Sequence, residues 1–262
     1  MGTQFAAKLT LSDRRQIREG IHSAFDLIGG QTVSRRTPVT KEQERQLGAA
    51  AIREVIGVAE KRDFFEDFAA SSVFVLVLEW LRKLHRDAKF NGFSGIIKEY
   101  ELENRANPIP ALVTALRNLV ADAEKGAHDR FRVATSSAAR SVLAYAISQQ
   151  VVVGADAAND LPAQTLGKQL AGMNGKELVT RYVGSFINEV VSAILSSSDP
   201  QNADEPTQVA LKFSEVEATR IAQQVGRRIE GKAKQNEPHA IQQIVLEELQ
   251  SAIPSATYGA TA

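Results

Sequence analysis

Cysteine is absent from this 262-residue chain, which removes disulfides, thiolate nucleophiles and zinc–thiolate sites together. Net charge is absent too. The 31 basic residues cancel the 31 acidic ones, so no overall field draws the protein to nucleic acid or to an anionic membrane, although a local basic face stays open. The opening residues 1–15 have no apolar run ahead of their charges, and the longest uncharged apolar run, Phe68 to Leu78, is too short to cross a bilayer. Together these gaps predict a cytoplasmic protein without a membrane span.

Reactive motifs are also missing. The chain has no Gly-x4-Gly-Lys-Ser/Thr loop and no Gly-x-Ser-x-Gly elbow, and Gly29-Gly30 follows a helical stretch where a dinucleotide-binding turn would open one. The four histidines are isolated, so spacing assembles neither a triad nor a metal set. No cofactor is expected, and an enzyme is the minority reading.

What the chain does have is helical periodicity. Between Lys176 and Leu195, the apolar residues Val179, Tyr182, Val183, Phe186, Ile187, Val190, Val191 and Ile194 recur at alternating spacings of three and one. At 3.6 residues per turn they form one broad stripe. The opposite face carries Glu177, Thr180, Arg181, Ser185, Asn188, Glu189 and Ser192, which suit water. This helix cannot be stable alone, so it is predicted to be the packing centre of the chain's second half.

Other helices follow in order. Ser12 is placed as the cap of one running to about Leu27, stopped at Gly29-Gly30, with a loop from Gln31 to Pro38. Thr40 and Gln43 make a capping box for the next. Asp63 to Lys89 is predicted as a single helix, because Val73 to Leu78 finds no second strand-like run to pair with; its middle should be the driest place in the chain. Ser94 to Leu102 is a short helix, Pro110 opens one that stops at Gly126, and Ser136 or Ser137 caps one that extends towards Val153. A short helix lies around Ala163 to Leu170. Ser196 to Pro206 reads as a mobile loop, Ser214 and Glu217 as a capping box, and Pro238 as the start of the last helix before a patternless tail from Pro254. The fold class is therefore all-α, a multi-helix bundle of about eight to ten helices without significant sheet. It divides near Asn104 to Pro110 into helical subdomains 1–104 and 105–262 packed together, or it forms one compact body.

Candidate chemistry is sparse. Glu19 and His22 have the Glu-x-x-His spacing of di-iron bundles, but no second such pair exists. Arg15 and His22, with Arg18 between them, resemble the Arg-x4–6-His arrangement of HEPN ribonucleases, in which the basic pair contacts the scissile phosphate and helps transfer a proton. That gives an alternative reading as a HEPN-like ribonuclease or helical RNA-binding protein. Arg220, Arg227, Arg228, Lys232 and Lys234 form a basic cluster able to touch phosphate, but it is interleaved with Glu215, Glu217 and Glu230 and has no aromatic for base stacking. Arg82, His85 and Arg86 are read as cations closing their helix against its dipole.

Leu170-Ala-Gly-Met173, the run from Leu178 to Ile187, and Glu217-Ala-Thr-Arg-Ile-Ala222 together resemble the C-terminal half of QatB-type proteins, small helical components of Qat anti-phage defence operons. The similarity covers about residues 115 to 250. It implies a non-enzymatic bacterial subunit working with an ATPase, a QueC-like protein and a TatD-like nuclease. The leading expectation is thus a helical interaction or adaptor subunit of an operon-encoded assembly.

Overall fold

The periodicity becomes eleven helices, and no strand forms among the described residues. The computed structural model describes residues 9–27, 40–123, 130–148, 162–196, 205–230 and 236–252. The helices are α1 (Leu11–Leu27), α2 (Lys41–Glu60), α3 (Phe64–Ala70), α4 (Ser72–Asn91), α5 (Ser94–Glu99), α6 (Ile109–Ala123), α7 (Arg132–Ser148), α8 (Pro162–Gly172), α9 (Gly175–Ser196), α10 (Glu205–Ile229) and α11 (Pro238–Ser251). This is an all-α multi-helix bundle.

The amphipathic helix singled out by its spacing, α9, is a central packing element. Its apolar stripe is fully buried from Val179 to Ile194, and it packs against α2, α4, α7 and α10. By length and hydropathy α9 resembles a membrane span, but 56% of that window is buried inside the fold; covering by other helices accounts for its apolarity. Phe186 at its middle meets Phe68 at 5.3 Å, Phe74 at 5.1 Å and Phe131 at 5.9 Å between ring centroids, so α9 joins α3, α4 and the start of α7 in one aromatic knot. One continuous apolar cluster runs from Leu9 to Leu249 and crosses position 104. A second, smaller cluster of Phe25, Leu47 and Phe213 ties α1, α2 and the beginning of α10.

Several boundaries differ from expectation, each for a local reason. The stretch predicted as one helix from Asp63 to Lys89 is two, broken at Ser71, whose backbone is extended (φ −68, ψ 111). The break is buried, and its carbonyls are served from a distance: Gln242 Nε2 donates to Phe68 O at 2.6 Å and Ser71 O at 2.7 Å. Beyond it, Val73, Phe74, Val77 and Leu78 are wholly excluded from solvent, as expected. Thr10, not Ser12, caps α1: its Oγ1 accepts from Asp13 N at 3.2 Å while Thr10 N donates to the Asp13 carboxylate at 2.8 Å. Ser136 and Ser137 lie inside α7.

Ser214 and Glu217 do not open a helix, because α10 starts at Glu205. Instead Ser214 donates back to Leu211 O at 2.8 Å, and Glu217 pairs with Arg220. The box at Thr40 and Gln43 forms as read, and Pro238 occupies the first turn of α11. The expected stops at Gly29-Gly30 and Gly126, the loop from Gln31 to Pro38, the extension to Val153, most of the loop between Ser196 and Pro206, and the tail from Pro254 lie outside the described residues.

Two glycines of α2 test the packing in opposite directions. A Cβ on Gly48 would lie 2.2 Å from Phe213 O, part of the α10 backbone, whereas a Cβ on Gly57 meets nothing within 4 Å. Gly48→Ala is expected to lower unfolding free energy by about 1–3 kcal/mol through overpacking, and Gly57→Ala to raise it by about 0.5–1 kcal/mol through helix propensity. Urea denaturation midpoints check both signs.

Candidate functional site

The polar face of α9 does not simply meet water. Thr180, Arg181, Ser185, Asn188 and Glu189 are half-buried, because α7 and α10 rise on either side and turn that face into the floor of a groove of about 800 Å³. Small residues set the α10 wall close: Ala218 and Ala222 are fully buried, and a Cβ on Gly184 would touch the Ala222 methyl at 3.4 Å. Farther along, Gly226 leaves room for Thr180, whose Oγ1 would be 2.6 Å from an added Cβ. The α7 wall contributes Ser141 and Tyr145. The Arg181 guanidinium carbon lies over the Tyr145 ring, 3.2 Å from its centroid, while its Nε donates to Glu177 at 3.0 Å; ring and carboxylate together hold it against the wall.

Glu189 is different. It lines the groove, half-buried, with no hydrogen-bond or ion partner among the described residues. Burial pushes its carboxyl above the usual range, since desolvation disfavours the charged form and nothing nearby compensates.

A second concavity of about 820 Å³ lies between α4, α5 and the start of α11. Three of its basic side chains are engaged internally. Arg82 reaches forward to Asn236, donating to its backbone O and Oδ1 at 2.6 Å each, His85 Nε2 stands 2.9 Å from Met173 O, and Lys83 holds the Glu99 carboxylate at 2.6 Å. Arg82, His85 and Arg86 therefore do not close their helix, as their charge had suggested. α4 continues to Asn91 and ends at Gly92 in the left-handed conformation, with only Lys89 as a basic residue in the last turn. Arg82, Lys83 and His85 thus join elements across this cleft, while Arg86 at its edge is exposed.

The residues read from sequence as candidate sites fall elsewhere. Arg15 is exposed and bound to Glu19 at 2.7 Å, and neither it, Arg18 nor His22 lines either cavity. Arg220 is taken up by the buried Glu217 at 2.6 Å, and Arg228 by Glu247 and Glu248. Among the described residues of that cluster, Arg227 alone borders the groove. Lys232 and Lys234 lie outside the described residues. Among the described residues no group of three or more His, Asp or Glu side chains gathers in a metal-binding arrangement. Sequence reasoning missed the groove because its walls come from distant segments. The one available signal was the uninterrupted polar face of α9.

The Glu189 environment makes a pH prediction. A carboxyl with a raised folded pKa gives stability that is complete below the unfolded pKa, about 4.3, and is lost as pH rises through the folded value. Glu189→Gln should therefore be more stable than the parent at pH 7.5 and indistinguishable from it near pH 4. Paired urea titrations at the two pH values read this, since other titrating groups cancel between parent and variant.

No protein-family model, curated protein or solved structure matches the chain.

Proposed function

We propose that this protein is a non-enzymatic helical recognition subunit that receives part of a partner protein in the α7–α9–α10 groove. One observation carries the reading: the side chains of Thr180, Ser185 and, foremost, Glu189 on a core helix are held half-buried in a preformed concavity and have no hydrogen-bond or ion partner among the described residues. Unserved polar groups in a rigid cleft are what a binding site offers before its ligand arrives. A catalytic reading has no comparable support from the arrangement, because the basic groups near the groove are largely taken up by carboxylates. We further propose a cytoplasmic, operon-encoded assembly of the anti-phage type, with an ATPase among the partners, as its setting. The resemblance of residues 115 to 250 to QatB-type proteins supports that setting, and the three groove helices fall inside it.

The test is co-expression with the products of neighbouring genes, followed by affinity capture at low salt. The unaltered protein should retain a stoichiometric partner, and Ser185→Trp, which fills the groove floor, should lose it while keeping its helical circular dichroism. Recovery of a lone monomer, or equal capture by Ser185→Trp, contradicts the reading. RNA cleavage that disappears in His22→Ala would instead move the function to α1.

A further inference from the structure

The two ends of the groove carry opposite free charge. Where α9 begins, Lys176 pairs with Glu230 at 2.6 Å and Arg181 with Glu177 at 3.0 Å, so those charges cancel locally. Arg227 is left over. Its Nε reaches only the Gln223 carbonyl, at 3.4 Å, and it has no carboxylate partner among the described residues. At the opposite end Glu189 and Glu215 line the groove with no ion pair among the described residues. α10 fixes the separation: Glu215 and Arg227 stand twelve residues apart, about 18 Å at 1.5 Å per residue. Between those ends the side chains of Ser141, Ser185 and Gln223 make no hydrogen bond among the described residues.

We propose that the groove binds an extended segment of a partner protein, setting a Lys or Arg side chain against Glu189 at the Glu215 end and a carboxylate against Arg227 at the other, the ends lying about 18 Å apart along α10. The proposal rests on the reading of this groove as the recognition surface and adds the chemistry of what it recognises. An extended chain covers that distance in about five or six residues at roughly 3.3 Å each. Its backbone amides and carbonyls would meet the unused side chains of Ser141, Ser185 and Gln223, whereas a docking helix needs a row of large apolar side chains, of which the lining offers Val142 and Tyr145 alone. A polycation suits one end and is repelled at the other, and a polyanion fails in the reverse sense. The chain's own residues 253–262 carry no charged side chain and so match neither end. A cation beside Glu189 also offsets part of the burial cost of its carboxylate, which has no ion partner among the described residues.

Blocked seven-residue peptides with a Ser/Ala middle test the pattern, titrated into the full-length protein and followed by calorimetry. Two carry Lys and Glu at opposite ends, one in each chain direction; two others carry Lys at both ends or Glu at both ends. Spermidine is titrated as a free polycation. One of the mixed-charge peptides should bind about tenfold tighter than either like-charged peptide or spermidine, the size of one charge-assisted hydrogen bond. Glu189→Gln and Arg227→Ala should each erase that preference. Equal binding of the four peptides, a preference that survives Glu189→Gln, tighter binding of spermidine, or no peptide binding overturns the proposal. Partner capture that still depends on an open groove at Ser185 would then leave the recognition reading standing and remove only the charge pattern.

Discussion

Phe186 is the side chain on which the rest of the structure leans. Its ring contacts those of Phe68, Phe74 and Phe131, and three helix segments are thereby fixed around α9. Removing such a ring from a close-packed core typically costs about 3–5 kcal/mol, comparable to much of a domain's net stability. One turn earlier, Tyr182 extends the same knot: its ring lies 5.1 Å from that of Phe74, and its hydroxyl donates to Phe74 O at 3.2 Å. The helix break at Ser71 sits beside this knot, with Phe68 O accepting from Ser71 N and from Gln242, and Ser71 O accepting from Gln242 across the fold. A buried carbonyl left unmatched would be costly, so α11 is bound to the centre by need as well as by apolar contact.

The groove follows from the same constraint. A helix whose apolar stripe is covered by α2, α4, α7 and α10 still has a remaining face, and the two helices flanking it decide what that face becomes. α10 comes close because Gly184, Ala218 and Ala222 offer little bulk. α7 is anchored by Phe131 and by Arg181 stacked on Tyr145. The floor is thus carried by a core helix and the walls by its neighbours. A site built on such elements loses little freedom when a ligand enters, which suits recognition better than it suits a lid or a switch.

Much of the scaffold was legible from residue spacing, and the departures have physical causes. The stripe from Val179 to Ile194, the box at Thr40 and Gln43, and Pro238 in a first turn are local signals, and they appear where they were read. The break at Ser71 was not legible because its partner, Gln242, is 171 residues away. Ser214 and Glu217 have the spacing of a capping box but are engaged with Leu211 and Arg220 inside a longer helix. Arg220 and Arg228 read as a basic string in one dimension, yet in three dimensions Glu217, Glu247 and Glu248 neutralise them. The groove was visible only as half of itself. The polar face of α9 could be enumerated, while the walls at Tyr145 and Thr219 depend on which helices pack beside it.

Native-state hydrogen exchange addresses the claim that α9 is both a central packing element of the core and the groove's floor. The account predicts that amides from Val179 to Val190 exchange only through global unfolding, with the slowest rates in the protein, and that amides of α7 and α10 facing them come next. Faster exchange in α9 than in α2 or α10 would contradict it, because a floor that opens ahead of its walls can neither organise the core nor hold a preformed site.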